Sequence, residues 1–297
     1  MYQSDKEIIL SLPFETLINP IQSFNRSYAV VDEDGMVIEL YLFEENSIPA
    51  SIFCFLHLKT LVVINSIFHI DREISQLQAN LETLHLSNIY PQHSVIPFEL
   101  FTLGSLKSLQ MTRCGIEHVP EAISNLTELR TLNLQRNQLM ESLPSSLQQI
   151  EQLSSIDLSY NRLFNSLDIF NGSTSIRELR ASHCAIDHLP LYLSHLSILD
   201  LSHNRLNSLD GIETIAAYYP AYPRMTRPFS FPQDYHKESI LSDLDFSNNQ
   251  LSKLPEEIYQ LPFLKKINLR NNHFDTREIE WILGRFRRTK SFPILIL

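Results

Sequence analysis

Eleven-residue stretches that echo one another dominate this chain. LRTLNLQRNQL runs from Leu129 to Leu139, LSSIDLSYNRL from Leu153 to Leu163, LSILDLSHNRL from Leu196 to Leu206, LSDLDFSNNQL from Leu241 to Leu251 and LKKINLRNNHF from Leu264 to Phe274. Each fits L-x-x-L-x-L-x-x-N-x-L, with other apolar residues standing in for some leucines. Weaker copies start at Leu58, Leu81, Leu106 and Ile176, and a degenerate first copy, VIELYLFEENS, lies near Val37. The usual step is about 23 residues, and a unit of that length cannot bury its apolar face alone. Such a chain is stable only as a stack.

The motif also dictates what each unit looks like. Alternation within LxLxx makes a short strand whose leucines point into the coil and whose other residues point out. The asparagines at the ninth position, Asn137, Asn161, Asn204, Asn249 and Asn272, sit where each coil bends and can satisfy backbone groups that would otherwise be buried without partners. Several coils continue as LPxxIxxL, with Pro120, Pro144, Pro190 and Pro255 each followed by apolar residues at three-to-four spacing. That pattern predicts a short helix or turn on the far side of the coil. Each inward leucine contributes roughly 1.5–3 kcal/mol of burial, shared between neighbouring coils.

This pattern identifies the chain as similar to the leucine-rich repeats, specifically the intracellular class with LPxxIxxL backs. The resemblance implies an α/β solenoid: a horseshoe with a parallel β-sheet on the concave face and short helices or turns on the convex face. Residues 1–36 are expected as an N-terminal cap, with two strands around the Asp32-Glu33-Asp34-Gly35 turn. Residues 37–274 hold about ten repeats, interrupted by an insertion near 216–239. Residues 275–297 form a helical cap and tail, the helix opened by a capping box at Asp275-Thr276-Arg277-Glu278. Ile279, Ile282, Leu283 and Phe286 share one face of that helix.

Composition narrows the function. The net charge is −10, from 24 basic and 34 acidic residues, which argues against nucleic acid or an anionic membrane as a partner. No stretch is apolar enough to span a bilayer, and the first residues carry acids where a secretory leader is basic. A soluble monomer is expected. Cys54, Cys114 and Cys184 are too widely spaced for a disulfide framework and read as reduced thiols. Cys114 with His118, and Cys184 with His188, have zinc-like spacing, but both cysteines occupy the inward asparagine position of the repeat. Cys184 and His183 are adjacent in the chain and point to opposite faces. No metal, cofactor or catalytic residue is therefore assigned, and the chain is not read as an enzyme.

What the sequence offers instead is surface. The eighth repeat position, read as an outward strand row, carries Arg113, Arg136, Tyr160, His183 and His203, then Asn248 and Asn271. The central row beside it carries Gln110, Asn133, Asp157, Arg180, Asp200, Asp245 and Asn268. Arg113, Arg136, Tyr160, Arg180, His183 and His203 are the candidate partner-binding residues of the concave face, since Arg and Tyr are frequent interface anchors. Tyr222, Arg224, Arg227 and Phe229 are candidates on the insertion, whose prolines would stiffen it. The layout also resembles the leucine-rich-repeat effectors that intracellular bacteria such as Legionella deliver into host cells. That resemblance implies a host protein as partner, the host cytoplasm as destination and an export signal near Ile294–Leu297. An alternative is an adaptor that recruits ubiquitin-ligase machinery through an F-box-like segment, LPFETLINPIQSF, from Leu12 to Phe24.

Overall fold

The computed structural model describes residues 4–20, 26–70, 72–92, 94–140, 143–163, 167–215, 240–289 and 293–297. The chain divides into two compact units, Met1–Leu153 and Ser154–Leu297.

The first unit opens with α1 (Asp5–Ser11), closed by a capping box in which Ser4 Oγ accepts from Glu7 N and Glu7 accepts from Ser4 N. Ile8 and Ile9 are buried beneath it, and Asp5 Oδ2 accepts from Val37 N at 2.7 Å, tying the helix to the sheet. β1 (Leu17–Ile18) runs parallel to β2 (Tyr28–Val31), which turns back antiparallel onto β3 (Val37–Phe43). Asp32 Oδ1 accepts from Asp34 N and Met36 N in the turn between them, and Gly35 takes the left-handed φ of 79° that the turn requires. Within the F-box-like stretch, the described residues hold β1 at Leu17–Ile18 and no helix. From β3 the sheet continues in parallel register through β4 (Thr60–Ile64), β5 (Thr83–Ser87), β6 (Ser108–Thr112) and β7 (Thr131–Asn133). Tyr28 stacks on Tyr41 at 4.3 Å and lies 6.5 Å from Phe43, so the cap covers aromatic side chains of β3.

The second unit holds β8 (Ser155–Asp157), β9 (Glu178–Arg180), β10 (Ile198–Asp200), β11 (Asp243–Asp245), β12 (Lys266–Asn268) and β13 (Ile294–Ile296). Each is parallel to the next. β10 pairs directly with β11, Ile198 opposite Asp243, and the insertion expected near 216–239 lies outside the described residues. α2 (Ile212–Ile215) completes the back of the coil before that insertion. α3 (Thr276–Phe286) follows β12 and buries Ile282 and Phe286. Only half of its expected capping box forms: Asp275 Oδ1 accepts from Glu278 N at 2.7 Å, while Glu278 Oε1 accepts from Leu254 N instead of closing the box. The final apolar residues pair with β12 as an edge strand, leaving Ile294 67% exposed.

Inside each unit two columns of apolar side chains run under the sheet. Leu84, Leu109 and Leu132 are fully buried in the first unit, as are Leu179, Leu199 and Ile267 in the second. The backs are 3-10 helices after Pro120, Pro144 and Pro255, at Glu121–Asn125, Ser145–Gln149 and Glu256–Gln260. The coil at Leu189-Pro190 departs from this pattern. There Tyr192 adopts a φ of 60°, Leu191 N donates to Asn171 Oδ1 and Tyr192 N to Thr214 Oγ1, so the backbone is held open by side chains and no helical turn forms.

Candidate functional site

The bends are built as the repeat requires. Asn204 Oδ1 accepts from Cys184 N and Ile186 N at 3.0 Å each, and its amide donates to Ala181 O and Leu201 O. Asn137 does the same for Cys114 N, Ile116 N, Met111 O and Leu134 O. Ser66, standing at an asparagine position, accepts from Glu45 N and donates to Ile64 O.

Both buried cysteines imitate that asparagine. Cys184 Sγ donates to Leu158 O and Ser182 O, and Cys114 Sγ to Leu86 O and Thr112 O. Burial pushes the Cys184 thiol up to about 12 and the Cys114 thiol up to about 11, against the opposing pull of backbone amides that donate to each sulfur. A thiol so held is a poor nucleophile and a poor metal ligand. His188 is engaged elsewhere, with Asp187 Oδ1 at 2.7 Å and Asp168 Oδ1 at 3.1 Å. Burial lowers its basicity, but the two carboxylates outweigh it and hold the imidazole above its ordinary pKa. Cys54 alone of the three is exposed. Iodoacetamide at neutral pH is therefore expected to label one cysteine in the native protein and three in urea, as read by intact mass. Rapid native labelling of Cys184 would contradict this account.

The eighth-position row lies somewhere other than the strand pattern suggests. These residues follow the strands and sit in the left-handed region. Glu44, Asn65, Asn88, Arg113 and Arg136 in the first unit, and Tyr160, His183, His203, Asn248 and Asn271 in the second, all have φ between 51° and 61°. Their amides still extend the ladder: Arg113 N donates to Gln135 O, Tyr160 N to Ser182 O, His183 N to Ser202 O and His203 N to Ser247 O. The strand pairing thus runs on into a left-handed bend. Left-handed backbone costs an L-residue about 1–2 kcal/mol, less for asparagine, whose short side chain bonds locally. Asn65, Asn88, Asn248 and Asn271 fit that preference. Arg113, Arg136 and Tyr160 do not.

In the second unit the row becomes a continuous rail. Tyr160 stacks on His183 with centroids 4.1 Å apart, and His183 on His203 at 3.9 Å, the planes within 13° and 17°. Asn271 Nδ2 donates to Asn248 Oδ1 at 2.8 Å, which leaves the Asn248 amide to donate to His203 Nε2 at 3.0 Å. In the first unit the equivalent contact is Asn88 Nδ2 to Asn65 Oδ1 at 2.9 Å.

The central row is less free than its charge implies. Asp157, Asp200 and Asp245 each accept, through Oδ1, from the amide two residues on, at Ser159, Ser202 and Ser247. Asn133 and Asn268 do likewise for Gln135 and Arg270. These are Asx turns that end each strand and lead into the left-handed bend. Arg180 lies within β9, its guanidinium 2.8 Å from Glu178 Oε2, both side chains about one-third exposed. Tyr222, Arg224, Arg227 and Phe229 lie outside the described residues. Among the described residues no helix is long and apolar enough to cross a membrane.

Comparison with known proteins agrees with the fold. Residues 104–163 and residues 241–261 each match a leucine rich repeat family model. The chain is similar to the flightless-1 homolog of Caenorhabditis elegans, 34% identical over 216 residues, and the match spans 68% of this chain but only 17% of that relative's length. Among solved structures, a plant ice-binding protein is similar with a TM-score of 0.58 at 24% identity, over 82% of this chain and 76% of the other. The octameric complex of Latrophilin 3, Unc5D and FLRT2 leucine-rich repeats contains a chain similar at a TM-score of 0.57 and 19% identity, over 83% of this chain and 78% of that one.

Proposed function

We propose, from the premise that this is a leucine-rich repeat protein, that it is a non-enzymatic binding module for another protein. On this reading its contact residues are the left-handed Arg113 and Arg136 in the first unit and Tyr160, His183 and His203 in the second. The observation that supports this most is a contrast within one structural position. Five successive coils hold bulky residues in a backbone conformation that the flanking coils fill with asparagine. Asparagine would be the cheaper choice in all of them, and a retained conformational cost marks a position used for something other than folding. The stacked Tyr160–His183–His203 rings are pre-ordered, which lowers the entropy lost on docking. Arg180 beside them adds a planar donor fork. Tyr222, Arg224, Arg227 and Phe229 join this reading from the sequence alone.

The finer reading is that the partner is a host protein and the chain an exported bacterial effector acting in the host cytoplasm. The resemblance of the repeats to those effectors supports it. An octameric complex that includes FLRT2 leucine-rich repeats illustrates the fold within a protein assembly.

The test replaces all five residues by asparagine, R113N, R136N, Y160N, H183N and H203N together. Stability by urea unfolding is expected to stay level or rise. Proteins captured from host-cell lysate by the parent chain are expected to be lost from the variant. Unchanged capture with unchanged stability would remove the row from the binding surface.

A further inference from the structure

α3 carries a second face that neither the core nor the strand surface uses. Ile282 and Phe286 are buried on one side, and Arg277, Glu280, Trp281, Gly284 and Arg288 follow one another along the other at helical spacing. Trp281 is the single tryptophan of the chain and is 55% exposed. This exposed indole has neighbours at its ring. The Arg285 guanidinium lies 5.9 Å from the Trp281 ring and 5.1 Å from the Tyr259 ring, and it is ion-paired with Glu256. Tyr259 in turn packs edge-on against Phe286 at 4.8 Å. The indole is thus braced from beneath.

Beside it lies a shallow hollow of about 310 Å³, with Gly284 in its floor. A glycine inside a helix weakens it relative to alanine, and the usual reasons for one are missing here. Gly284 does not have a left-handed φ, and a Cβ built on it would meet nothing within 4 Å. The missing side chain keeps open a path to the helix backbone from outside. Arg277 and Arg288 stand at the two ends of this face and have no ion pair among the described residues.

We propose that this face is a docking site for an extended acidic peptide segment of a partner protein, with carboxylates on Arg277 and Arg288 and an apolar side chain against Trp281. Arg288 follows Arg277 by eleven positions and lies two past the end of α3, about 16 Å along the axis at helical rise. An extended peptide covers that span in about five residues. The guanidinium fork matches carboxylates two bonds at a time. Discrete carboxylates suit the site better than a broad anionic surface. Glu280 sits at its centre, and the chain's net charge of −10 opposes approach to a membrane or a polyphosphate.

Trp281 emission reads the site directly. The probe is the peptide Glu-Ser-Ser-Leu-Ser-Glu, acetylated and amidated, titrated into the full chain. A saturable blue shift is expected, absent with the peptide carrying Gln in place of both Glu and weakened by added salt. R277Q with R288Q is expected to weaken binding about tenfold or more. G284L is expected to abolish it while raising the midpoint of thermal unfolding. Three results would overturn the proposal: no shift at millimolar peptide, equal response to the Gln peptide, or a saturable response to inorganic phosphate or phosphatidylserine vesicles without one to the peptide.

Discussion

Replacing Asn204 by leucine is expected to destabilise the protein by about 4 kcal/mol, among the largest effects of any single change outside the apolar columns. The side chain is buried and holds five backbone groups from two coils: Cys184 N, Ile186 N, Ala181 O, Leu201 O and Ser202 O. Leucine repeats the branching of the asparagine side chain and is bulkier, so no cavity explains the loss. What remains is the desolvation cost of the orphaned groups, about 1–3 kcal/mol each when no water can reach them. Cys184→Asn is the control at the corresponding position one coil earlier. Its thiol already donates to Leu158 O and Ser182 O, and an amide there restores the pattern of the neighbouring bends. That change is expected to lie within about 1 kcal/mol of the parent. Urea unfolding followed by circular dichroism measures both. A mild Asn204→Leu effect, under about 1.5 kcal/mol, would show that water or backbone adjustment replaces the ladder.

The strands and their inward columns were legible because period-two alternation and a fixed repeat leave no other register. The asparagine bends were legible for the same reason, and so was the inward fate of Cys114 and Cys184. The outward rows were not. Counting along the repeat put Tyr160 and His183 on a strand, whereas each lies in a left-handed bend. The signal was present in Asn65, Asn88, Asn248 and Asn271, which share the row and favour that conformation. Asp157, Asp200 and Asp245 were read as a charged row. Their common Asp-x-Ser spacing is also that of an Asx turn, and the backbone claims one oxygen of each. Ser4 and Glu7 form a capping box that was visible as Ser-x-x-Glu but lay outside the repeat. The brace around Trp281 joins Tyr259, Arg285 and Glu256, residues too far apart in the chain for periodicity to connect.

Phe246→Ala is the second large effect, at about 4 kcal/mol. Phe246 is fully buried directly after β11, in the column that Leu201 and Leu269 occupy in adjoining coils. How much such a deletion costs depends on whether the surroundings can close over it. Here the backbone is fixed on both sides. Phe246 N donates to Asn268 O, and Phe246 O accepts from the amides of both Asn249 and Asn272. A coil so tethered cannot sink into the void, which keeps the loss within the 3–5 kcal/mol typical of phenylalanine truncation. Phe246→Leu separates volume from hydrophobicity, because leucine already fits this column in neighbouring coils. It is expected to cost about 1–1.5 kcal/mol. Both are measured by urea unfolding, with Trp281 emission as a reporter within the same unit. If alanine and leucine cost the same, the column is loosely packed and the two asparagines do not hold it rigid.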